Sequence, residues 1–411
     1  MSSAAAPAQE GGRRHAGSPL EVLRVFFKLG LTCFGGPIAH IGYFRAEFVE
    51  RRRWLDEAAY VDLVALCQFL PGPASSQVGF SIGLMRAGYA GGLAAWTGFT
   101  LPSAVVLVLF AYGAGALVGP LGTGLLHGLK LVAVAIVAQA VWGMARSLCP
   151  DRERASIAAL AAVLILFSAS SLAQIGAILL GGVAGLWLCR GAPPAAQGHM
   201  AVPVSRRAGL VALALFFLLL LGVPLFGSLV PAQGVALFDA FYRSGALVFG
   251  GGHVVLPLLR QAFVAPGWVS DNAFLAGYGA AQAVPGPLFT FSAYLGTVVR
   301  ASPHGIPGAA LGLFAIFLPG VLVLIGTLPF WEAFRRRAAA QAAMRGVNAA
   351  VVGLLAAALY NPVWTSSVQK PADFAVALVG FVLLAVWRAA PLVVVLFSAL
   401  AGMALAQVGA G

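Results

Sequence analysis

Gln68-Phe69-Leu70-Pro71-Gly72-Pro73 returns later in the chain as Gln282-Ala283-Val284-Pro285-Gly286-Pro287, and this pair of stretches decides the fold. Working outward, Trp54 and Trp268 each stand 14 residues before the glutamine. Further upstream, Phe34-Gly35-Gly36 and Arg45 match Phe249-Gly250-Gly251 and Arg260; downstream, Leu101-Pro102 matches Leu318-Pro319. Glycine adds chain entropy and proline removes an N–H, so both are poor inside a helix. In an apolar segment they free backbone groups that lipid cannot satisfy, which is tolerated only against protein or a wet cavity. Paired interruptions at matching places in two halves point to the substrate site of a transporter.

The composition agrees. Of 411 residues, 60% are apolar and 9% charged, with a mean hydropathy of +0.93, whereas a soluble domain carries about 25% charged residues. Runs such as 208–229 and 306–330 exceed the roughly 20 residues that cross a bilayer. The opening residues, with Glu10, Arg13 and Arg14 among small ones, contain no apolar core. They read as a disordered cytoplasmic tail and not as a signal peptide. Cys33, Cys67, Cys149 and Cys189 have no CxxC spacing, so no disulfide, metal site or cofactor is expected. The net charge of +12 is assigned to cytoplasmic loops and not to a nucleic-acid partner.

Matching apolar segments fill both halves: 20–49, 58–85, 88–118, 124–146, 155–168 and 171–189, then 236–264, 272–300, 306–330, 338–360, 371–387 and 391–408. The expected organisation is a tail at 1–19, a first repeat at 20–190, a linker with one transmembrane span at 191–235, and a second repeat at 236–408. A single extra crossing between repeats that each cross an even number of times inverts the second. Loop charges agree. The loop after 88–118 has no Lys or Arg, while its counterpart carries Arg335-Arg336-Arg337; the loop after 124–146 has Arg146, Arg152 and Arg154, while its counterpart has Lys370; the uncharged turn near Ser170 is matched by Arg388. Opposite charge bias in equivalent loops is what inverted topology requires. Arg51-Arg52-Arg53 falls on the cytoplasmic side if 20–49 and 58–85 are re-entrant hairpins, whose limbs are too short to span alone. The sequence therefore predicts an all-α polytopic membrane protein of two inverted repeats with broken, re-entrant helices. Its N-terminus is cytoplasmic and its C-terminus outside, with nine full crossings and four hairpins; thirteen simple crossings are the plainer alternative.

Phe34-Gly35-Gly36-Pro37, Gln68 to Pro73, Phe249-Gly250-Gly251-Gly252 and Gln282 to Pro287 together resemble the chromate ion transporter family in its long form, with two fused homologous domains. The resemblance runs from about residue 20 to 408. It implies a bacterial inner-membrane protein that exports chromate and confers resistance to it. Sulfate or another oxyanion is the alternative cargo, and a homodimer is a possible assembly.

Chromate is a tetrahedral, acceptor-only dianion, so its site needs fixed donors and positive potential. A helix N-terminus offers unsatisfied N–H groups and about half a positive charge. Half-helices beginning after Pro37, Pro73, Gly252 and Pro287 would aim such ends at the membrane midplane. The predicted oxyanion cradle is Gly35, Gly36, Pro37, Gln68, Pro71, Gly72 and Pro73 with Gly250, Gly251, Gly252, Gln282, Pro285, Gly286 and Pro287. Tight packing by small residues is the competing explanation. Arg45, Arg260 and the apolar-embedded Lys130, whose rough counterpart is Asn348, are candidates to guide an anion. Both arginines could instead anchor hairpin bases. His40, His253, Glu47 and Asp62 are the candidates for coupling to protons, with Asp239 a further acid near an element's end; the 13 acidic residues otherwise avoid most apolar segments. An integral membrane enzyme would need a clustered His/Asp/Glu or nucleophilic serine site, and an ATP-driven pump a phosphate loop. Neither pattern is present in the sequence.

Overall fold

The computed structural model describes residues 17–34, 36–114, 119–168, 171–190, 203–230, 232–249, 254–300, 302–331, 333 and 337–408. Among them are helices and turns and no strand. In the first repeat the helices are α1 (Pro19–Thr32), α2 (Gly36–Arg45, continued by a π turn), α3 (Glu57–Phe69), α4 (Ala74–Ala114), α5 (Gly119–Leu148), α6 (Arg152–Phe167) and α7 (Ser171–Leu188). α8 (Arg206–Leu229) stands alone. The second repeat follows with α9 (Gln233–Ala246), α10 (Val255–Phe263), α11 (Asp271–Ala283), α12 (Phe291–Val298, entered through a 3-10 turn), α13 (Gly305–Thr327), α14 (Ala338–Ala358, continued through a π turn), α15 (Pro371–Ala385) and α16 (Pro391–Val408).

Aromatic pairs show that the broken elements double back. Phe26 on α1 lies against Phe44 and Phe48, at 5.6 and 5.0 Å between ring centroids. Their counterparts Phe241 and Phe263 pack at 4.4 Å. The Tyr294 hydroxyl on α12 donates to the Ala273 carbonyl near the start of α11, so these limbs also run side by side. α4 reverses as well, at Ala87 and Gly88, whose backbone leaves the helix with φ of −144° and +65°. A β-carbon on Gly83 would fall 2.3 Å from the Gly91 carbonyl oxygen, although eight residues of straight helix would separate them by about 12 Å. Gly296 and Gly308 make the equivalent contact in the second repeat.

The repeats exchange their C-terminal helices. α6 and α7 pack on α14, while α15 and α16 pack on α5. Small residues make the crossings: a β-carbon on Gly402 would lie 2.7 Å from the Gly128 Cα, and one on Gly346 would lie 2.7 Å from the Gly185 Cα. Gly185 and Gly402 are themselves equivalent positions, so the interlock is two-fold. Without a hydrophobic force between helices in lipid, such close backbone approach is what holds them. The cores are mixed accordingly. One gathers the first repeat's hairpins with α8 and the end of α13, and the other gathers α5 with the second repeat's hairpins.

Leu160, Phe167, Leu180, Trp187, Leu218, Leu225 and Leu400 point outward and are more than half exposed. So broad an apolar surface is incompatible with water. Together with Leu121–Leu148, Arg206–Leu229, Gly305–Phe330 and Ala338–Ser367, which are long and apolar enough to span, it describes a polytopic all-α membrane protein. The loop before α6 is polar: Asp151 caps that helix through the Arg154 N–H, and the same arginine's side chain holds the Asp151 carboxyl below its ordinary range.

Candidate functional site

The two Pro-Gly-Pro tips are built alike. α3 runs out at Phe69 because Pro71 cannot donate to the ladder. Gly72 then takes φ +117°, and Gly286 takes +99°, a region costly for any residue with a β-carbon. Pro73 supplies the carbonyl that accepts the first ladder bond of α4, from the Gln77 N–H at 2.9 Å. The amides of Ala74, Ser75 and Ser76 precede that ladder.

Each tip is tied to the other repeat. Gly72 N–H donates to the Val248 carbonyl at 2.7 Å, and Gly286 N–H donates to the Cys33 carbonyl at 2.9 Å. Cys33 and Val248 are equivalent, each immediately before a Phe-Gly-Gly motif. The breaks of both repeats therefore meet at one junction. Its walls are the Leu-Pro segments: a β-carbon on Gly72 would lie 2.9 Å from the Gly320 Cα, and one on Gly286 would lie 2.9 Å from the Ser103 Oγ.

At the junction Gly36 opens α2 with φ +76°, and Pro37 sits inside that helix's first turn, so α2 starts two residues before the predicted start at Ile38. After Pro287 a 3-10 turn, Leu288–Thr290, precedes the α-helix. Gly35, Gly250, Gly251, Gly252 and His253 lie outside the described residues. The glutamines do not share an environment: Gln68 is exposed, whereas the Gln282 amide nitrogen is buried and has no partner among the described residues.

Arg45 and Arg260 sit at the hairpin bases, each against the acid that opens the next helix. Arg45 Nε lies 2.8 Å from Glu57, and Arg260 grips Asp271 with two bonds of 2.9 and 3.0 Å. Glu47 is engaged by Arg51 and Arg52. Buried Asp62 accepts from the Trp331 indole at 3.2 Å. Lys130 is buried between α5 and α11, where its ammonium donates to Asn272 at 3.2 Å. One turn before it on α5, His127 meets the buried Asp373 carboxylate at 2.8 Å. Asp373 also caps α15 through the Gln369 and Lys370 amides.

Several polar groups at the junction are not repeated; His40 is among the residues expected from the sequence, whereas Ser76, Gln77, Thr100 and Ser103 stand outside the repeated motifs. His40 is buried, its Nδ1 3.3 Å from the Ser75 hydroxyl and its ring edge-on to Phe99 at 5.2 Å. Gln77 donates to the Pro71 carbonyl of its own tip and to the Gly320 carbonyl of the other repeat, both at 2.9 Å. The hydroxyls of Ser76 and Thr100 are buried without a partner among the described residues, and Ser103 donates to the Thr100 carbonyl. The available signal was position: Ser75-Ser76-Gln77 directly follows the first Pro-Gly-Pro. A cavity of about 270 Å³ beside α9 reaches from Trp268 to Leu247, next to Val248; within it Arg243 pairs with Asp239 at 2.8 Å.

Known proteins supply the name of the family. The family described as "Chromate transporter" matches twice, over residues 20–186 and 235–403. A "Chromate transport protein" from Pseudomonas aeruginosa is 29% identical over 92% of this chain and 90% of its own length. A "Probable chromate transport protein" from Synechococcus elongatus is 28% identical over 82% of this chain and 83% of its own length. A Bacillus subtilis protein named "Uncharacterized transporter YwrA" is 35% identical over 25% of this chain and 56% of its own length. No solved structure matches. Matched along both halves by a family of transporters and not of enzymes, the chain belongs to the chromate transporter family.

Proposed function

We propose that this protein exports chromate across the bacterial inner membrane and so confers chromate resistance, with the junction of helix breaks as the binding site. The observation that carries the reading is the reciprocal pair of tip bonds, Gly72 to Val248 and Gly286 to Cys33. Two sets of interrupted helices converge there, and half-helix N-termini bring positive potential to one buried point. The tip amides themselves are engaged across the repeats. The donors left for an anion are the first-turn amides of α4 and the buried hydroxyls around them.

The repeats are read as inverted, with hairpins entering from opposite faces, the N-terminus inside and the C-terminus outside. A dianion leaving a negative interior gains about 4.6 kcal/mol per 100 mV, twice the value for one charge. Export can therefore run on membrane potential, with proton antiport as the competing mechanism. Sulfate, which shares chromate's shape and charge, is the second cargo; the names of the relatives favour chromate.

The test is uptake of radiolabelled chromate into inverted vesicles containing the protein, with unlabelled sulfate as competitor. Saturable chromate uptake beyond that of empty vesicles is expected. Sulfate uptake that chromate cannot displace would reassign the cargo. Cysteine labelling in intact cells should leave residues 331–337 unreactive and residues 119–123, at the start of α5, reactive, and reaction of both would end the inverted reading.

A further inference from the structure

The backbone of the junction is two-fold, but its side chains are not. The repeat offsets are 215 residues at the Phe-Gly-Gly motifs, 214 at Pro-Gly-Pro and 217 at Leu-Pro. Applying them pairs His40 with Val255, Ser75 with Phe289, Gln77 with Phe291, Thr100 with Phe317 and Ser103 with Gly320. At all five positions the first repeat carries a hydrogen-bonding side chain, and the second carries an apolar one or none. The mirror positions are filled: Phe289 packs on Phe317 at 5.7 Å, and Phe291 stacks on Tyr294 at 5.8 Å. Ser76 and Thr290 are the one pair with a hydroxyl on both sides. The Thr290 hydroxyl is committed to the Pro287 carbonyl at 2.7 Å, whereas the Ser76 hydroxyl has no partner among the described residues.

Resting on the reading of the junction as the transport site, we propose that it holds a single oxyanion per chain and that the hydroxyls binding it come from the first repeat alone. Ser76 and Thr100 are 5% and 2% exposed, with hydroxyls unpaired among the described residues. A buried hydroxyl without a partner loses free energy, and an acceptor-rich anion is the ligand that satisfies such donors. Ser75 and Ser76 ride on the first turn of α4, beside the open amides of Ala74, Ser75 and Ser76 at the positive end of that helix. Ser75 is steadied by His40, and Gln77 positions the turn by tying it to Pro71 and Gly320. These groups offer hydrogens and a positive helix end, so the fitting ligand is an acceptor-rich tetrahedral oxyanion of the chromate and sulfate kind. The second repeat contributes the backbone latch and an aromatic plug where a second anion would otherwise sit.

Equilibrium dialysis of the purified full-length protein against radiolabelled sulfate, and separately chromate, tests this directly. Saturation near one anion per chain is expected. Thr100→Val and Ser76→Ala should each weaken binding at least tenfold with thermal unfolding close to wild type. Thr290→Val, which removes a hydroxyl already committed to the Pro287 carbonyl, and Phe289→Leu, the second-repeat controls, should leave the dissociation constant within twofold. Two anions per chain, or tenfold losses from the second-repeat controls, would overturn the one-sided site while leaving the junction as the place of binding. One anion per chain bound with unchanged affinity by both first-repeat variants would move the site away from the junction altogether, and absence of binding to wild type would end both readings.

Discussion

The Gly72 amide and the Val248 carbonyl, 176 residues apart in sequence, are joined by a 2.7 Å hydrogen bond that fastens a tip of one repeat to the other. Gly286 and Cys33 make the same bond in reverse. The two bonds tie the helix breaks of one repeat to those of the other at equivalent positions.

Gln77 reinforces this latch on one side only. Gln77→Leu removes two donors and strands the carbonyls of half-buried Pro71 and buried Gly320. At about 1–3 kcal/mol for each unpaired group, the loss should be about 2–6 kcal/mol. Thermal unfolding in detergent should show it as a lowered midpoint with transport impaired. An unshifted midpoint would mean that the amide bridges contribute nothing.

The glycine crossings should be intolerant of volume. Gly346→Leu and Gly402→Leu drive side chains into the backbone of α7 and α5, with β-carbons already 2.0 Å from the Gly181 carbonyl oxygen and 2.4 Å from the Gly124 carbonyl oxygen. Both variants should lose the folded species on gel filtration. Gly143→Ala and Gly176→Ala, which meet nothing within 4 Å, should behave as wild type. Tolerance of either leucine would refute the interlock.

Arg45 and Arg260 are expected to anchor hairpin bases and not to guide the anion, since each guanidinium already meets a carboxylate. A solvent-exposed ion pair is screened and contributes little to stability. Arg45→Gln should therefore change the KM for chromate less than twofold. A tenfold rise in KM, unrelieved by the charge swap Arg45→Glu with Glu57→Arg, would restore the guiding role.

Lys130 stands differently, because its buried ammonium rests on an amide, Asn272. A cation kept inside the membrane region defaults to function. Lys130→Met should accumulate in the membrane normally while transport falls at least tenfold. Normal transport would reduce Lys130 to a packing residue.

Energy coupling gives the last prediction. Chromate export should respond to a potassium–valinomycin potential when the pH gradient is held at zero, because moving one charge through 100 mV is worth about 2.3 kcal/mol. Dependence on the pH gradient alone would favour proton antiport, with Glu47, Asp62 and His40 the first residues to replace. Asp373, buried against His127, joins that group although it escaped the sequence reading by standing at the very start of its helix.

The sequence by itself determined the membrane class, the two-fold repeat, the helix breaks and the family, because composition, spacing and repeated Gly and Pro are local properties that survive without a partner. Phe26 and Phe48 could be seen to recur as Phe241 and Phe263, but not to touch. Only the tertiary structure decided that the repeats exchange helices through Gly128 with Gly402 and Gly185 with Gly346. It alone committed the Gly72 and Gly286 amides to carbonyls across the repeats. It also placed Gln77, Ser76 and Thr100 at the junction while leaving Gln68 exposed. The physical reason is that a repeat search rewards identity, and Gln77 and Thr100 stand where the second repeat has Phe291 and Phe317. Which donors are left unpaired there depends on contacts between residues far apart in the chain.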